Sequence, residues 1–124
     1  MTAKEYLQQI RLLDLKIDQK IEERQELIHR KKFLRDPDPR LEKDILERIE
    51  RYKEEREEII RTILSLSKPQ RTKFLFLRYV KGLPLEKILY IMRKSNGKAY
   101  SYNHIRTIHS DALKEISEKL HLQG

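Results

Sequence analysis

The 124-residue chain carries 28 Lys/Arg against 20 Asp/Glu, a formal charge of +8, with 39% charged residues, 7% aromatics, three Gly and neither Cys nor Trp. That length holds one domain, or a small domain with an oligomerising arm, and the helix-forming composition disfavours a β-sandwich or barrel. Without cysteine there is no disulfide framework, thiolate metal site or cysteine nucleophile. No uncharged apolar run approaches the ~20 residues of a membrane span or the ~7–15 of a signal-peptide core, so a cytoplasmic protein with no membrane partner is expected.

Residues 3–34 contain no Gly or Pro. Ile10, Leu13, Ile17, Ile21 and Ile28 recur at helical steps, with a polar gap at Arg24, and Leu12, Leu27 and Leu34 widen the stripe. The spacing predicts a rod of roughly 45–50 Å. Asp36-Pro37-Asp38-Pro39 breaks it, since each proline removes a backbone donor and disfavours helix at the residue before. Asp36 or Asp38 is placed to cap the next helix. From about Arg40 to Leu66, Ile45, Ile49, Tyr52, Arg56, Ile59, Ile63 and Leu66 alternate steps of four and three, a heptad seam with one charged interruption. Two long helices joined by a short loop imply an antiparallel, coiled-coil-like hairpin.

A lone hairpin leaves an apolar stripe without a third layer. Residues 1–66 are therefore expected to act as an oligomerisation arm, most simply in a homodimer, or else to fold back on the C-terminal half; the residues leave both open. Glu26-x-x-His29 matches the spacing of a di-iron ligand pair, but without an inward Glu on the second helix it reads as a surface pair.

Charge divides the chain. Residues 1–66 carry 16 Lys/Arg and 16 Asp/Glu, whereas residues 67–124 carry 12 Lys/Arg and 4 Asp/Glu, so the whole +8 lies in the second part. That asymmetry marks 67–124 as a candidate polyanion-binding domain. Ser67 with Pro69 and Gln70 reads as a capped helix start, and the helix passes through Phe74, Leu75 and Leu77 to end at Gly82. Leu83-Pro84 opens a short helix with Ile88, Leu89 and Met92. Ser95-Asn96-Gly97-Lys98 reads as a turn. Ser101 caps a last helix, about Tyr102 to Leu120, with Ile105, Ile108, Ala112, Ile116 and Leu120 facing inward. The pattern is a three-helix helix-turn-helix domain in an all-α chain.

The string Leu77-Arg78-Tyr79-Val80-Lys81-Gly82-Leu83-Pro84-Leu85-Glu86-Lys87-Ile88 resembles the start of region four of bacterial sigma factors. Tyr100-Ser101-Tyr102-Asn103-His104-Ile105-Arg106-Thr107-Ile108-His109-Ser110-Asp111-Ala112-Leu113 resembles its recognition helix. The closer resemblance is to phage-encoded late-transcription regulators of the ArpU/RinA-like group, over residues 67–120. It departs in two places: Arg93 to Ala99 stands where one Gly often suffices, and Leu89 replaces a small Ala. The resemblance implies a prophage-type transcription regulator in a bacterial cell, with RNA polymerase as a further partner.

With Ile105, Ile108 and Ala112 buried, the opposite stripe of the last helix is Tyr102, Asn103, Arg106, Thr107 and Ser110, expected to face base edges of double-stranded DNA in the major groove. The resemblance points to Tyr102, Asn103, Arg106 and Thr107 as well. Lys94 and Lys98, with Lys87, Arg93 and Lys114, are the phosphate candidates, and Lys73, Arg78 and Lys81 extend them. His104 and His109 read as packing or phosphate residues. A second reading is a DNA-packaging protein of the small-terminase kind. The chain holds no Gly-rich phosphate loop, His-Glu-x-x-His or Gly-x-Ser-x-Gly, so neither enzyme chemistry nor a cofactor is expected.

Overall fold

The computed structural model describes residues 1–33 and 39–122. Leu34 and the breaker Asp36-Pro37-Asp38, with its capping aspartates, lie outside them. The described residues are all-helical: α1 (Ala3–Phe33), α2 (Arg40–Leu64), α3 (Pro69–Leu75), α4 (Leu85–Ile91) and α5 (Tyr102–Leu120). They contain no strand, only an isolated antiparallel bridge between Arg93 and Ala99. No helix among them is long and apolar enough to cross a membrane.

The chain divides into two compact units, residues 11–58 and residues 1–10 with 59–124. In the first, cross-helix contacts run in descending register: Asp14 to Arg56 Nε at 2.6 Å, Lys16 Nζ 5.6 Å from the Tyr52 ring, and Lys31 to Glu42 at 2.8 Å. Residue numbers rise on α1 as they fall on α2, so the two segments run antiparallel. Ile45, Tyr52 and Arg56 are half-buried and Ile49 is buried, as the heptad spacing on α2 predicts.

On α1 the seam departs from the expected stripe. Leu13, Ile17 and Leu27 are buried, but Ile21, Ile28 and Leu12 are exposed, and the half-buried positions between are Lys20 and Arg24. The buried line through Leu13, Ile17, Lys20, Arg24 and Leu27 alternates steps of four and three, the 3.5-residue period of a helix–helix seam, so Ile21 and Ile28 fall one position off it, on its flank. The Nε of Arg24 is buried without a hydrogen bond among the described residues and lies 3.5 Å from Glu42 Oε1. A buried donor left unpaired is destabilising. Glu42 keeps its 2.8 Å contact with Lys31, whose hydrogen bond holds the carboxyl below its ordinary range. Arg24→Leu is therefore expected to stabilise the chain by about 1 kcal/mol, read as a raised thermal midpoint by circular dichroism. A lowered midpoint would show that the Arg24 ion pair outweighs the seam.

The second unit takes both ends of the long helices into the core of the C-terminal part. Ala3, Leu7 and Ile10 of α1 and Ile59, Ile63 and Leu66 are buried, with Phe74, Leu75, Ile88, Met92, Ile105, Ile108, Ala112 and Ile116. Residues 1–10 and 59–66 thus fold with residues 67–124. Tyr6 and Thr62 hydroxyls meet at 3.1 Å, and Thr72 Oγ1 donates to the Ile63 carbonyl. α3 packs on α5.

Ser67 does not cap α3. Lys68 holds that position with no side-chain cap, because the Ser67 hydroxyl and N–H both donate to the Glu115 carboxylate on α5, at 2.9 and 2.8 Å. Arg71 Nη1 completes that cluster at 2.7 Å from Glu115. Beyond Leu75 the helix continues as a π turn over Phe76–Val80, closed by Lys81 N–H on the Phe76 carbonyl. Gly82 ends it at φ +69, with open space around the place a Cβ would take, so the backbone angle and not crowding calls for glycine.

Candidate nucleic-acid interface

The start of α5 is set by chemistry local to the sequence. Ser101 is extended at φ −72, ψ 158, and its hydroxyl accepts the His104 N–H at 3.1 Å, satisfying one of the helix's orphan donors. From that fixed start the helical repeat turns Ile105, Ile108, Ala112 and Ile116 into the core, with Ile105 and Ile116 fully buried. Tyr102, Asn103, Arg106, Thr107 and Ser110 are all exposed on the other side. The Arg106 guanidinium stands 5.8 Å from the Tyr102 ring centre, a cation–π contact that restrains both. Thr107 Oγ1 donates to the Asn103 carbonyl, which leaves its hydroxyl as an acceptor toward solvent.

The segment before α5 is a tight hairpin. Lys94 N–H donates to the Lys98 carbonyl at 2.9 Å and Gly97 N–H to the Lys94 carbonyl at 2.8 Å, next to the Arg93–Ala99 bridge. Asn96 Oδ1 accepts the Lys98 N–H at 3.0 Å, and Gly97 at φ +83 supplies the left-handed residue such a turn needs. The hairpin thus brings Lys94 and Lys98 together. Arg93 is turned elsewhere: its guanidinium donates to the Leu89 and Met92 carbonyls at the end of α4 and lies over the Tyr90 ring. Lys87 is exposed on α4, and Lys114 is exposed about two turns beyond Arg106 on α5. Arg78 donates to the Leu83 carbonyl, Lys81 lies over the Phe76 ring, and Lys73 is exposed.

Sequence reasoning passed over two tyrosines. Tyr100 carries Lys94 Nζ 5.9 Å from its ring and meets His104 edge-on at 4.9 Å, so it ties the hairpin to the first turn of α5. Tyr90 is 79% exposed, the most open large hydrophobic side chain among the described residues. The signal that could have singled out this region is charge: no Asp or Glu occurs from residue 87 to residue 110, while Lys87, Arg93, Lys94, Lys98 and Arg106 do. Unopposed cations along one stretch create a local positive field.

His104 and His109 differ. His104 is exposed. His109 shares a 2.8 Å hydrogen bond with the Tyr79 hydroxyl and stacks 4.8 Å from the Phe74 ring. Burial, helped by the charges of Arg78 and Lys4, pushes its imidazole down to about 4, and burial pushes the Tyr79 phenol up against the pull of Arg78. The fold therefore holds a neutral imidazole. As pH falls below 6.5 the unfolded chain takes a proton at His109 and the folded chain does not, so stability is lost until about pH 4. The gap corresponds to about 3 kcal/mol, and solvent screening at this half-buried ring reduces it to about 1–2 kcal/mol. The urea midpoint is expected to fall between pH 7 and pH 4.5, and His109→Phe to fall less. Equal drops in both proteins would remove His109 as the cause.

Among the described residues, no group of three or more His, Asp or Glu is placed to hold a metal ion. The site's chemistry is instead that of hydrogen-bonding side chains and cations on a rigid helix start, suited to a polyanion with readable edges. Compared with known protein families, curated proteins and solved structures, the chain matches none.

Proposed function

We propose that the chain is a sequence-specific double-stranded-DNA-binding transcription regulator. In this reading α4 and α5 form a helix-turn-helix, with α5 in the major groove. The observation that carries it is the division of α5: Ile105 and Ile108 are buried while the ridge from Tyr102 to Ser110 stands free at the capped helix start, beside an acid-free basic stretch. N-terminal turns of a recognition helix are the part that meets base edges. Asn103 can pair with adenine N6/N7 and Arg106 with guanine O6/N7, while Thr107 can accept from a base amino group or touch a thymine methyl. Lys94 holds a backbone phosphate beside the helix start, with Lys87 and Lys114 further along the duplex.

Residues 11–58 serve as the dimerising arm. Their charges balance closely, and exposed Ile21, Ile28 and Leu46 offer apolar surface to a second copy. A prophage-type role and a contact with RNA polymerase rest on the resemblance to sigma region four.

Selection of bound fragments from the genome that encodes the chain, with solution mass measured in parallel, tests the reading. A dimer enriching a site upstream of a promoter supports it. A ring of eight or more subunits enriching a packaging site favours the terminase-like alternative. Absence of any salt-dependent DNA binding removes both.

A further inference from the structure

We infer that the hairpin from Arg93 to Ala99 is a second DNA-reading element, whose tip enters the minor groove next to the major groove occupied by α5. The inference rests on the DNA-binding reading above and adds a contact that the helix cannot make.

Three observations carry it. First, the hairpin is fixed to the recognition helix: Lys94 lies on Tyr100, and Tyr100 packs edge-on against His104 in the first turn of α5. Hairpin and helix start therefore approach a duplex as one body. Second, the cations divide by role. Arg93 is held by carbonyls at the end of α4 and Lys94 by an aromatic ring, whereas Lys98 is exposed and its ammonium has no such partner among the described residues. Third, the tip is thin. Gly97 has no side chain and open space around it, and Asn96 folds its carbonyl oxygen back onto the Lys98 N–H.

Reach agrees with the proposal. From Tyr102 back to Lys98 the chain spans up to ~13–14 Å if extended. Half a turn of B-DNA, the spacing from one groove to the next, is about 17 Å. A lysine side chain makes up the difference. The minor groove is about 6 Å wide, which a glycine-tipped turn can enter and a helix cannot. A narrow A·T-rich minor groove concentrates negative potential and attracts an inserted cation. The hairpin would thus add a preference for flanking base pairs outside the stretch read by Asn103 and Arg106.

The test uses the full chain and a duplex selected from a random pool, rebuilt with A·T, I·C or G·C pairs in the flanks. An I·C pair shows the minor-groove face of A·T and the major-groove face of G·C. The wild type is expected to bind the A·T and I·C flanks about three- to tenfold more tightly than the G·C flank. Lys98→Ala, at an exposed position, is expected to level the three flanks while keeping discrimination at the core site. Arg106→Ala is expected to do the opposite. Preference for A·T over both I·C and G·C would place the flank contact in the major groove and overturn the proposal. So would flank-independent binding, or a Lys98→Ala variant that changes only the salt slope, since those results describe a phosphate clamp. If no duplex is enriched at all, the DNA-binding reading itself fails, which is a different result from sequence-specific binding without flank preference.

Discussion

Phe74→Ala is expected to cost about 3–5 kcal/mol of folding free energy. Phe74 is fully buried on α3, which packs on α5, and its ring stacks 4.8 Å from His109. Truncation removes the transfer free energy of the ring and leaves a cavity between helices that can close only by shifting α5. His109 would lose its ring contact, and the Tyr79 hydrogen bond would lose part of its shelter. A domain of this size has about 5–15 kcal/mol in all, so the variant would sit near the edge of folding. Urea denaturation followed by helical circular dichroism measures the loss. Leu12→Ala, on the exposed face of α1, serves as the control and is expected to stay within ~0.5 kcal/mol. A Phe74→Ala loss below about 1 kcal/mol would mean that the packing of α3 against α5 is not what holds the unit together.

Arg106→Ala is expected to lose about 1–3 kcal/mol of site preference, roughly a 5- to 150-fold drop in discrimination, with little change in fold stability. Its guanidinium is exposed and already ordered against Tyr102. A restrained planar fork loses less conformational freedom on pairing with guanine O6/N7 than an unrestrained one. Arg106→Lys keeps the charge but not the fork, so it should retain non-specific affinity while losing most of the discrimination. Titration of the selected duplex and a base-substituted one against each variant measures the ratio. Wild-type discrimination in Arg106→Ala would take Arg106 out of the reading ridge. A matching loss in Arg106→Lys separates bidentate recognition from simple charge.

The two variants probe opposite sides of one helix-packing arrangement, and their expected effects should be separable. Phe74 reports through stability and Arg106 through the ratio of two affinities. A protein in which Phe74→Ala abolished discrimination without lowering stability would place the origin of specificity in the orientation of α5 and not in its exposed ridge.

Much of this arrangement was legible in the residues alone. The seam Ile45, Ile49, Tyr52, Arg56, Ile59, Ile63 and Leu66, the cap at Ser101, the helix end at Gly82 and the inward set Ile105, Ile108, Ala112 and Ile116 all follow from rules that act within about a turn of the chain: periodicity, capping and backbone angle. The exposed ridge from Tyr102 to Ser110 came with them, because burying one side of a helix fixes the other. Long-range geometry decided the rest. Ile21 and Ile28 lie outside the seam because pairing with the second long helix holds the buried line to a strict 3.5-residue period through the polar Lys20 and Arg24, which apolar spacing alone does not mark. Ser67 leaves its capping role for Glu115, 48 residues away. Arg93 is drawn to the carbonyls ending α4, and Tyr100 becomes the joint between hairpin and helix. Each of these depends on which distant groups the fold brings within hydrogen-bonding reach, a quantity set by tertiary packing and absent from the order of the residues.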